Sequence, residues 1–228
     1  MKIICIEEHT VDADLANATR EAQAAEAGYM ADWGSRVVDK HPEGVVNRPY
    51  LVPYAESLEL ARDVGAGRIA EMDKHGIDMQ IVSYSGSTQL APAEQAVELA
   101  QALNDRLAEA ARANPTRFGG FATLPWQHPQ AAADELERAV KSLGMKGTLL
   151  TGRPGQTFLD DPRYEPVLAK LNELQVPIYV HPGAPLPQVR EAYYGGLDKE
   201  VSRGCHSLVG VAQRSRCAGD PHDAQWRL

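Results

Sequence analysis

The chain has 228 residues, with 31 acidic and 23 basic side chains, so its formal net charge at pH 7 is −8. A chain of this charge lacks the basic surface that phosphate backbones and anionic lipids attract, which argues against nucleic-acid and membrane partners. No apolar run approaches the roughly 18 to 20 residues of a bilayer span, and the first six residues are too short for a signal peptide. Three cysteines imply no disulfide framework, and we expect a cytoplasmic protein.

The first half of the chain alternates between strand-like and helix-like segments. A short β-branched run at residues 2–6 predicts a strand that is buried on both faces. Residues 11–55 are rich in Pro, Asp and Gly and predict a long loop, with a short helix near residues 16–27. The elements predicted next, in chain order, are helices from residue 57 and over 68–75, a strand over 77–84 and a helix over 92–114.

The second half continues this alternation as far as residue 183. Its predicted elements are a strand over 118–124, a helix over 131–143, a strand over 147–151, a helix over 164–174 and a strand over 176–180. Five strands alternating with helices predict an α/β protein with a parallel sheet, either doubly wound or closed as a barrel. No glycine-rich phosphate motif follows any predicted strand, which argues against nucleotide binding.

The last part of the chain departs from this pattern. A helix start is predicted at residues 198–202, but residues 203–228 show little periodicity. We therefore predict a main domain over residues 1–202 and an atypical tail over 203–228. The tail contains Cys205, His206, Cys217 and His222, but these residues lack the paired spacing that is typical of a zinc knuckle.

Glu7 and His9 lie at the end of the first predicted strand and form the first candidate site. Side chains two apart on a strand share a face, so these two residues point the same way. A carboxylate and an imidazole at the carboxyl end of a buried strand suit a divalent metal. The alternative is a solvated strand end that happens to carry a histidine.

His181 directly follows the fifth predicted strand and is the second candidate. Taken alone, it is equally well interpreted as a histidine that is hydrogen-bonded at the start of a loop. In an eight-stranded barrel, strands one and five face each other and their carboxyl ends meet in one cup. Glu7, His9 and His181 would then supply three ligands and leave positions open for water or substrate.

Other polar residues carry weaker predictions. His75 ends a helix, where a cation complements the helix dipole, and His41 and His128 are interpreted as surface residues. Asn104 lies inside a predicted helix, where it either orients a loop or, as we prefer, is solvated or packs against another helix. The serines around Ser83 lie in no nucleophile elbow, which argues against a serine hydrolase.

Seven stretches, in this order along the chain, resemble the metal-dependent decarboxylase branch of the amidohydrolase superfamily. That branch includes aminocarboxymuconate-semialdehyde decarboxylase and γ-resorcylate decarboxylase. The stretches cover the chain from about residue 1 to about residue 202 and are ICIEEH, RIAEMDKHGIDMQIVS, LAPAEQAVELAQALNDRLA, NPTRFGGFATLP, ELERAVKSLGMKG, FLDDPRYEPV and VPIYVHPG.

The resemblance implies a (β/α)8 TIM-barrel-like fold that binds one divalent metal, zinc or manganese, at the carboxyl ends of the strands. The family's ligand positions on strands one and five correspond to Glu7, His9 and His181. The implied reaction is decarboxylation of a hydroxylated aromatic or muconate-like carboxylic acid. The metal holds the substrate's carboxylate while a histidine-class acid protonates the ring carbon. Related enzymes are often homo-oligomers, although no residue here indicates an interface.

The chain also departs from the family pattern. The remaining ligand aspartate belongs to strand eight and the catalytic histidine lies near strand six, whereas we count about five of eight strand–helix units. We therefore expect an incomplete barrel, assign no catalytic residue and expect reduced or absent activity. Suitable synonymous codons can be chosen for residues 209–219 such that a reading frame shifted by one nucleotide encodes LGWHSEAGAQ. This alternative sequence contains the WHxE segment of the family. The hypothesis is that the tail is translated out of frame, and the nucleotide sequence tests it.

Two other functions stay open at this point. The same three ligands also serve a metal-dependent hydrolase, which would activate water against an ester, lactone or amide and release acid without carbon dioxide. The other alternative is an inactive fragment with only a binding role, because a partial barrel exposes sheet edges and apolar surface.

Overall fold

The computed structural model describes residues 1–26 and 54–194. Most of the predicted long loop, including His41, lies outside these described residues. Residues 195–228 also lie outside them, so the helix start at 198–202, the tail at 203–228 and the interpretation of the tail's Cys and His residues stay predictions.

Five parallel strands lie side by side in chain order. They are β1 (Ile4–Thr10), β2 (Met79–Tyr84), β3 (Phe118–Gly120), β4 (Thr148–Thr151) and β5 (Ile178–His181). β2 pairs with β1 on one side and β3 on the other, and β4 pairs with β5. The two sheets meet where Ala122 forms a parallel bridge with Thr148.

Helices lie between consecutive strands along the chain, and one more helix follows the last described strand. They are α1 (Ala13–Glu26), α2 (Tyr54–Arg62), α3 (Ala66–His75), α4 (Ala93–Ala113), α5 (Pro129–Lys141), α6 (Glu165–Leu174) and α7 (Pro187–Tyr194), with 3-10 turns at Thr88–Leu90 and Pro162–Tyr164. This order confirms the α/β class and a partial TIM-barrel-like arrangement with five strand–helix units in the described residues. The doubly wound alternative is wrong, because its strand order would reverse partway across the sheet.

Local sequence signals explain where several helices lie. α4 buries Ala96, Ala100, Leu103 and Leu107, the stripe that the three-and-four spacing predicts. α3 ends at Gly76, whose backbone is left-handed at φ 68° and whose N–H reaches the carbonyls of the last turn. α7 was not predicted from the sequence. No helix in the described part of the chain is long and apolar enough to cross a bilayer.

Apolar side chains pack on both faces of the strands. The larger cluster lies between the strands and helices α4 to α6 and includes Val82, Leu103 and Leu136, each fully buried. A smaller cluster on the other face contains Ile81, Phe121 and Leu149, and Met79 and Tyr179 pack against it. Because parallel strands are covered on both faces in a barrel, we assign this second face to the barrel interior.

β1 is longer than the sequence predicts, and the prediction that it is buried on both faces is wrong, since Ile4 is 50% and Ile6 is 49% exposed. It continues to Thr10 because His9 and Thr10 pair with Ser83 and Tyr84 of β2, with a register shift between Cys5 and Glu8. Glu7 and His9 therefore lie within the strand, close to its carboxyl end, as predicted. Their backbone is consequently held by the sheet.

Close contact between β4 and β5 depends on Gly147. This residue has φ of 148°, and a Cβ atom there would lie 2.2 Å from the carbonyl oxygen of Pro177. Only glycine permits that approach, which brings His181 into register with Thr151.

Candidate metal centre

Glu7, His9 and His181 come together at the carboxyl ends of β1 and β5. One oxygen or nitrogen donor from each side chain lies within 4.8 Å of the other two. The Glu7 Oε1 atom is 3.5 Å from His181 Nε2, and the two imidazole rings are 5.0 Å apart between centroids at 78°. Glu8 lies instead near the Arg68 guanidinium, whose charged form it stabilises. The three residues predicted as ligands therefore form one cluster.

The donor set suits a divalent cation. Carboxylate oxygen and imidazole nitrogen both bind zinc at about 2.0 to 2.2 Å, so donors around one ion lie about 3 to 4 Å apart. Small side-chain rotations would bring the three donors to that spacing. Glu7 is half exposed and His181 is 28% exposed, so the cluster is open on one side to water or a substrate.

In both histidines Nδ1 makes a hydrogen bond, which leaves the Nε2 lone pair available to bind a metal ion. Ser83 Oγ donates its hydrogen to the Glu8 carbonyl at 3.3 Å and lies 3.0 Å from His9 Nδ1, so it accepts a hydrogen bond from the Nδ1–H group. The His181 Nδ1–H group donates to the Pro182 carbonyl at 2.7 Å. This pattern is typical of metal-binding histidines, because it selects the tautomer with a free Nε2 lone pair.

The electrostatic surroundings favour a neutral His9. Burial lowers the pKa of His9, and the nearby His181 lowers it further, while Glu7 acts in the opposite direction. A neutral imidazole is the form that binds metal, so the environment keeps His9 ready as a ligand.

Arg68 and Ser83 lie beside the donor cluster. Arg68 holds the backbone of β1, and Ser83 lines a narrow cleft beside the cluster. Arg68 of α3 donates to the His9 carbonyl at 2.8 Å, which fixes the backbone at the end of β1. Ser83, which bonds His9, also lines the cleft, together with other residues at the ends of β2, β3 and β4, among them Phe121, Thr123, Trp126 and Thr151.

The other described histidines lie away from this centre. His75 of α3 faces Glu71 at 3.6 Å, and the His128 ring contacts the Ala93 carbonyl at 2.8 Å. Asn104 is fully buried, so the solvated role is wrong, and the residue combines the loop-orienting role with packing against another helix. Its side chain bonds both backbone groups of Thr123 and also the Glu135 carboxylate on α5.

Sequence reasoning missed two residues that bond the predicted ligands. Ser83 was examined only as a nucleophile, and its place opposite His9 depends on the β1–β2 register, which the sequence does not reveal. Tyr179 donates a hydrogen bond to Glu7 Oε2. Its position two residues before His181, on the same strand face, was a signal that could have found it.

Comparison with known proteins shows similarity to one family. The sequence pattern of the Amidohydrolase family matches residues 58–224. This match includes residues on both sides of the boundary predicted after residue 202, and that boundary stays a prediction.

Several curated relatives and solved structures that this chain resembles are decarboxylases. The γ-resorcylate decarboxylase of Rhizobium sp. (strain MTP-10005) is 41% identical over 176 residues, which cover 71% of this chain and 54% of the relative. The 2-amino-3-carboxymuconate-6-semialdehyde decarboxylase of Dictyostelium discoideum is 30% identical, over 64% of this chain and 44% of the relative. The dihydroxybenzoic acid decarboxylase of Polaromonas sp. JS666, solved with manganese and 2-nitroresorcinol, has a TM-score of 0.66 and is 32% identical, over 92% of this chain and 59% of that one. The chain thus spans about half the length of the curated relatives it matches.

Proposed function

Because the chain belongs to the Amidohydrolase family, we propose that it is a metal-dependent decarboxylase of a hydroxylated aromatic or muconate-like carboxylic acid. Glu7, His9 and His181 are the proposed ligands of a zinc or manganese ion. The observation that carries this proposal is the meeting of their three donor atoms at the ends of two strands that are distant in sequence.

The proposed reaction breaks the bond between the carboxylate and the ring. Its electron pair stays on the ring carbon, which takes up a proton as carbon dioxide leaves. A bound divalent ion supplies positive charge that holds and orients the substrate's carboxylate and the neighbouring oxygen. The two histidines would hold the ion through Nε2, so protonation of the ring carbon would fall to another acid.

The choice of substrate class rests on the relatives. Those named above include decarboxylases of γ-resorcylate, of dihydroxybenzoic acid and of an amino-carboxymuconate semialdehyde. The manganese in the Polaromonas structure supports a divalent ion. γ-Resorcylate is therefore the first acid to test.

The test measures metal uptake and product together. We expect the 228-residue chain to bind one Mn²⁺ per protomer in calorimetry. Any turnover of γ-resorcylate should release equal amounts of carbon dioxide and resorcinol, at the reduced rate that we expect from the sequence. His181→Asn should lose most of the Mn²⁺ affinity, because one of three ligands is gone, whereas the matched variant His75→Asn changes a histidine on an outer helix and should keep it.

The outcomes separate the alternatives that the sequence left open. Equal Mn²⁺ affinity in both variants, or no binding at all, would show that the proposed centre is wrong. Mn²⁺ binding without turnover of any acid tested would support a chain with only a binding role.

Hydrolysis is a second candidate, because the matching family is described as amidohydrolase. The same carboxylate and imidazole donors suit an ion that activates water. Release of acid from an ester, lactone or amide without carbon dioxide would favour this function over decarboxylation.

The expected cytoplasmic location and homo-oligomer belong to this proposal as well. Cell fractionation tests the first, and sedimentation of the purified chain tests the second. A monomer at micromolar concentration would contradict the expected assembly.

A further inference from the structure

Tyr179 of β5 lies next to the proposed ligand Glu7, although 172 residues separate them along the chain. Tyr179 and His181 are two residues apart on one strand, so their side chains share a face. The phenol hydroxyl donates a hydrogen bond to Glu7 Oε2. Tyr179 therefore contacts a ligand and is not itself one of the three donors.

The two oxygens of Glu7 have different partners. Oε2 accepts the bond from Tyr179, whereas Oε1 lies 3.5 Å from His181 Nε2, inside the donor cluster. A hydrogen bond to one oxygen of a carboxylate restricts the rotation of the whole carboxylate group. The bond from Tyr179 thus directs the other oxygen toward the position between the two histidines.

The Tyr179 ring is held by packing, whereas the Glu7 side chain is not. The Tyr179 ring stacks on Phe121 with centroids 5.9 Å apart and planes inclined by 14°, and it packs against the inner apolar cluster. The Glu7 side chain is 51% exposed, so it has few apolar neighbours to restrict its rotamer. The rigid partner in this pair is therefore the tyrosine.

We propose that Tyr179 is a positioning residue that holds Glu7 Oε2 and so keeps Oε1 directed at the metal ion. This role rests on the proposed metal centre. Hydrogen bonds to ligating side chains raise metal affinity, because they remove the rotational freedom that binding would otherwise remove.

The experiment compares Tyr179→Phe with Tyr164→Phe in the full chain. Both substitutions remove one phenol hydroxyl and keep the ring. The Tyr164 hydroxyl donates to the Pro154 carbonyl at 2.8 Å and touches none of the three ligands. The probes are the Kd for Mn²⁺ by calorimetry and the Tm of the metal-free protein.

We expect Tyr179→Phe to weaken Mn²⁺ binding by about 10-fold, the lower end of the range typical for partners of metal ligands. The metal-free Tm should stay close to that of the unmodified chain, because the lost bond goes to a half-exposed carboxylate. Tyr164→Phe should keep the Kd and lower the Tm, because its hydroxyl is buried.

If His181→Asn loses Mn²⁺ binding but Tyr179→Phe keeps the Kd of the unmodified chain, the metal centre stands and the role of Tyr179 is overturned. A Kd that weakens together with a fall in Tm larger than that of Tyr164→Phe would also overturn it, because general loss of packing would explain both. A chain that takes up no Mn²⁺ would instead overturn the metal centre itself.

Discussion

His9 illustrates how single hydrogen bonds can orient a proposed metal ligand in the folded chain. Ser83 is almost completely buried, at 1% exposure, and its hydroxyl lies between His9 Nδ1 and the Glu8 carbonyl. The Arg68 guanidinium bonds the His9 carbonyl. The side chain and the backbone of this ligand are therefore fixed by different elements, β2 and α3.

Replacing Ser83 by alanine should weaken Mn²⁺ binding by about 10-fold, because Nδ1 of His9 loses its acceptor and the ring loses its preferred tautomer. Ser85→Ala is the matched control, since Ser85 lies two residues further along and is exposed. Calorimetric titration with Mn²⁺ measures both. Equal Kd values for the two variants would mean that Ser83 does not orient His9.

Between elements, a buried polar network connects α4, α5 and the segment after β3. Asn104 of α4 accepts from the Thr123 N–H at 2.9 Å, and its amide group donates to the Thr123 carbonyl at 2.9 Å and to Glu135 Oε1 at 2.7 Å. Arg138 completes the network with bonds to both oxygens of Glu135. Since Thr123 also lines the cleft beside the metal centre, the network ties the cleft wall to two helices.

Asn104→Ala should lower the free energy of unfolding by about 2 to 3 kcal/mol, because it leaves buried polar groups of Thr123 and Glu135 without partners. Asn172→Ala, on an exposed position of α6, should change stability by less than about 0.5 kcal/mol. Urea denaturation of the metal-free chain gives both values. A cost for Asn104→Ala no greater than that of the control would show that water replaces the lost bonds.

Across the fold, the proposed ion would join the first and last strands that the structure describes. β1 and β5 approach each other through Glu7, Tyr179 and His181. The ligands gather only when the strands between them have assembled. An ion that binds the folded chain and not the unfolded chain must stabilise the fold.

Mn²⁺ at 100 times its Kd should stabilise the chain by about 2.7 kcal/mol. For a chain of this size that corresponds to a rise in Tm of roughly 5 to 10 °C. His181→Ala should abolish the rise, and His75→Ala, at an exposed helix end, should retain it. Differential scanning calorimetry with and without Mn²⁺ measures the shift, and an equal rise in the two variants would contradict a site at His181.

Local patterns in the sequence were sufficient to predict much of the fold. The spacing of Ala96, Ala100, Leu103 and Leu107 identified α4, and the short apolar runs identified all five strands, because hydrophobic periodicity reflects which face of an element is buried. The motif around Glu7 and His9, with His181 on the fifth strand, identified the ligand candidates, because the carboxyl ends of barrel strands converge.

The tertiary structure decided what depends on contacts between distant segments. The β1–β2 register places Ser83 opposite His9 and extends β1 to Thr10, and the approach of β5 to β1 brings Tyr179 to Glu7. It also distinguished a barrel-like order from a doubly wound sheet. Register and strand order depend on how whole elements pack together, whereas a sequence pattern reports only the burial of each element by itself.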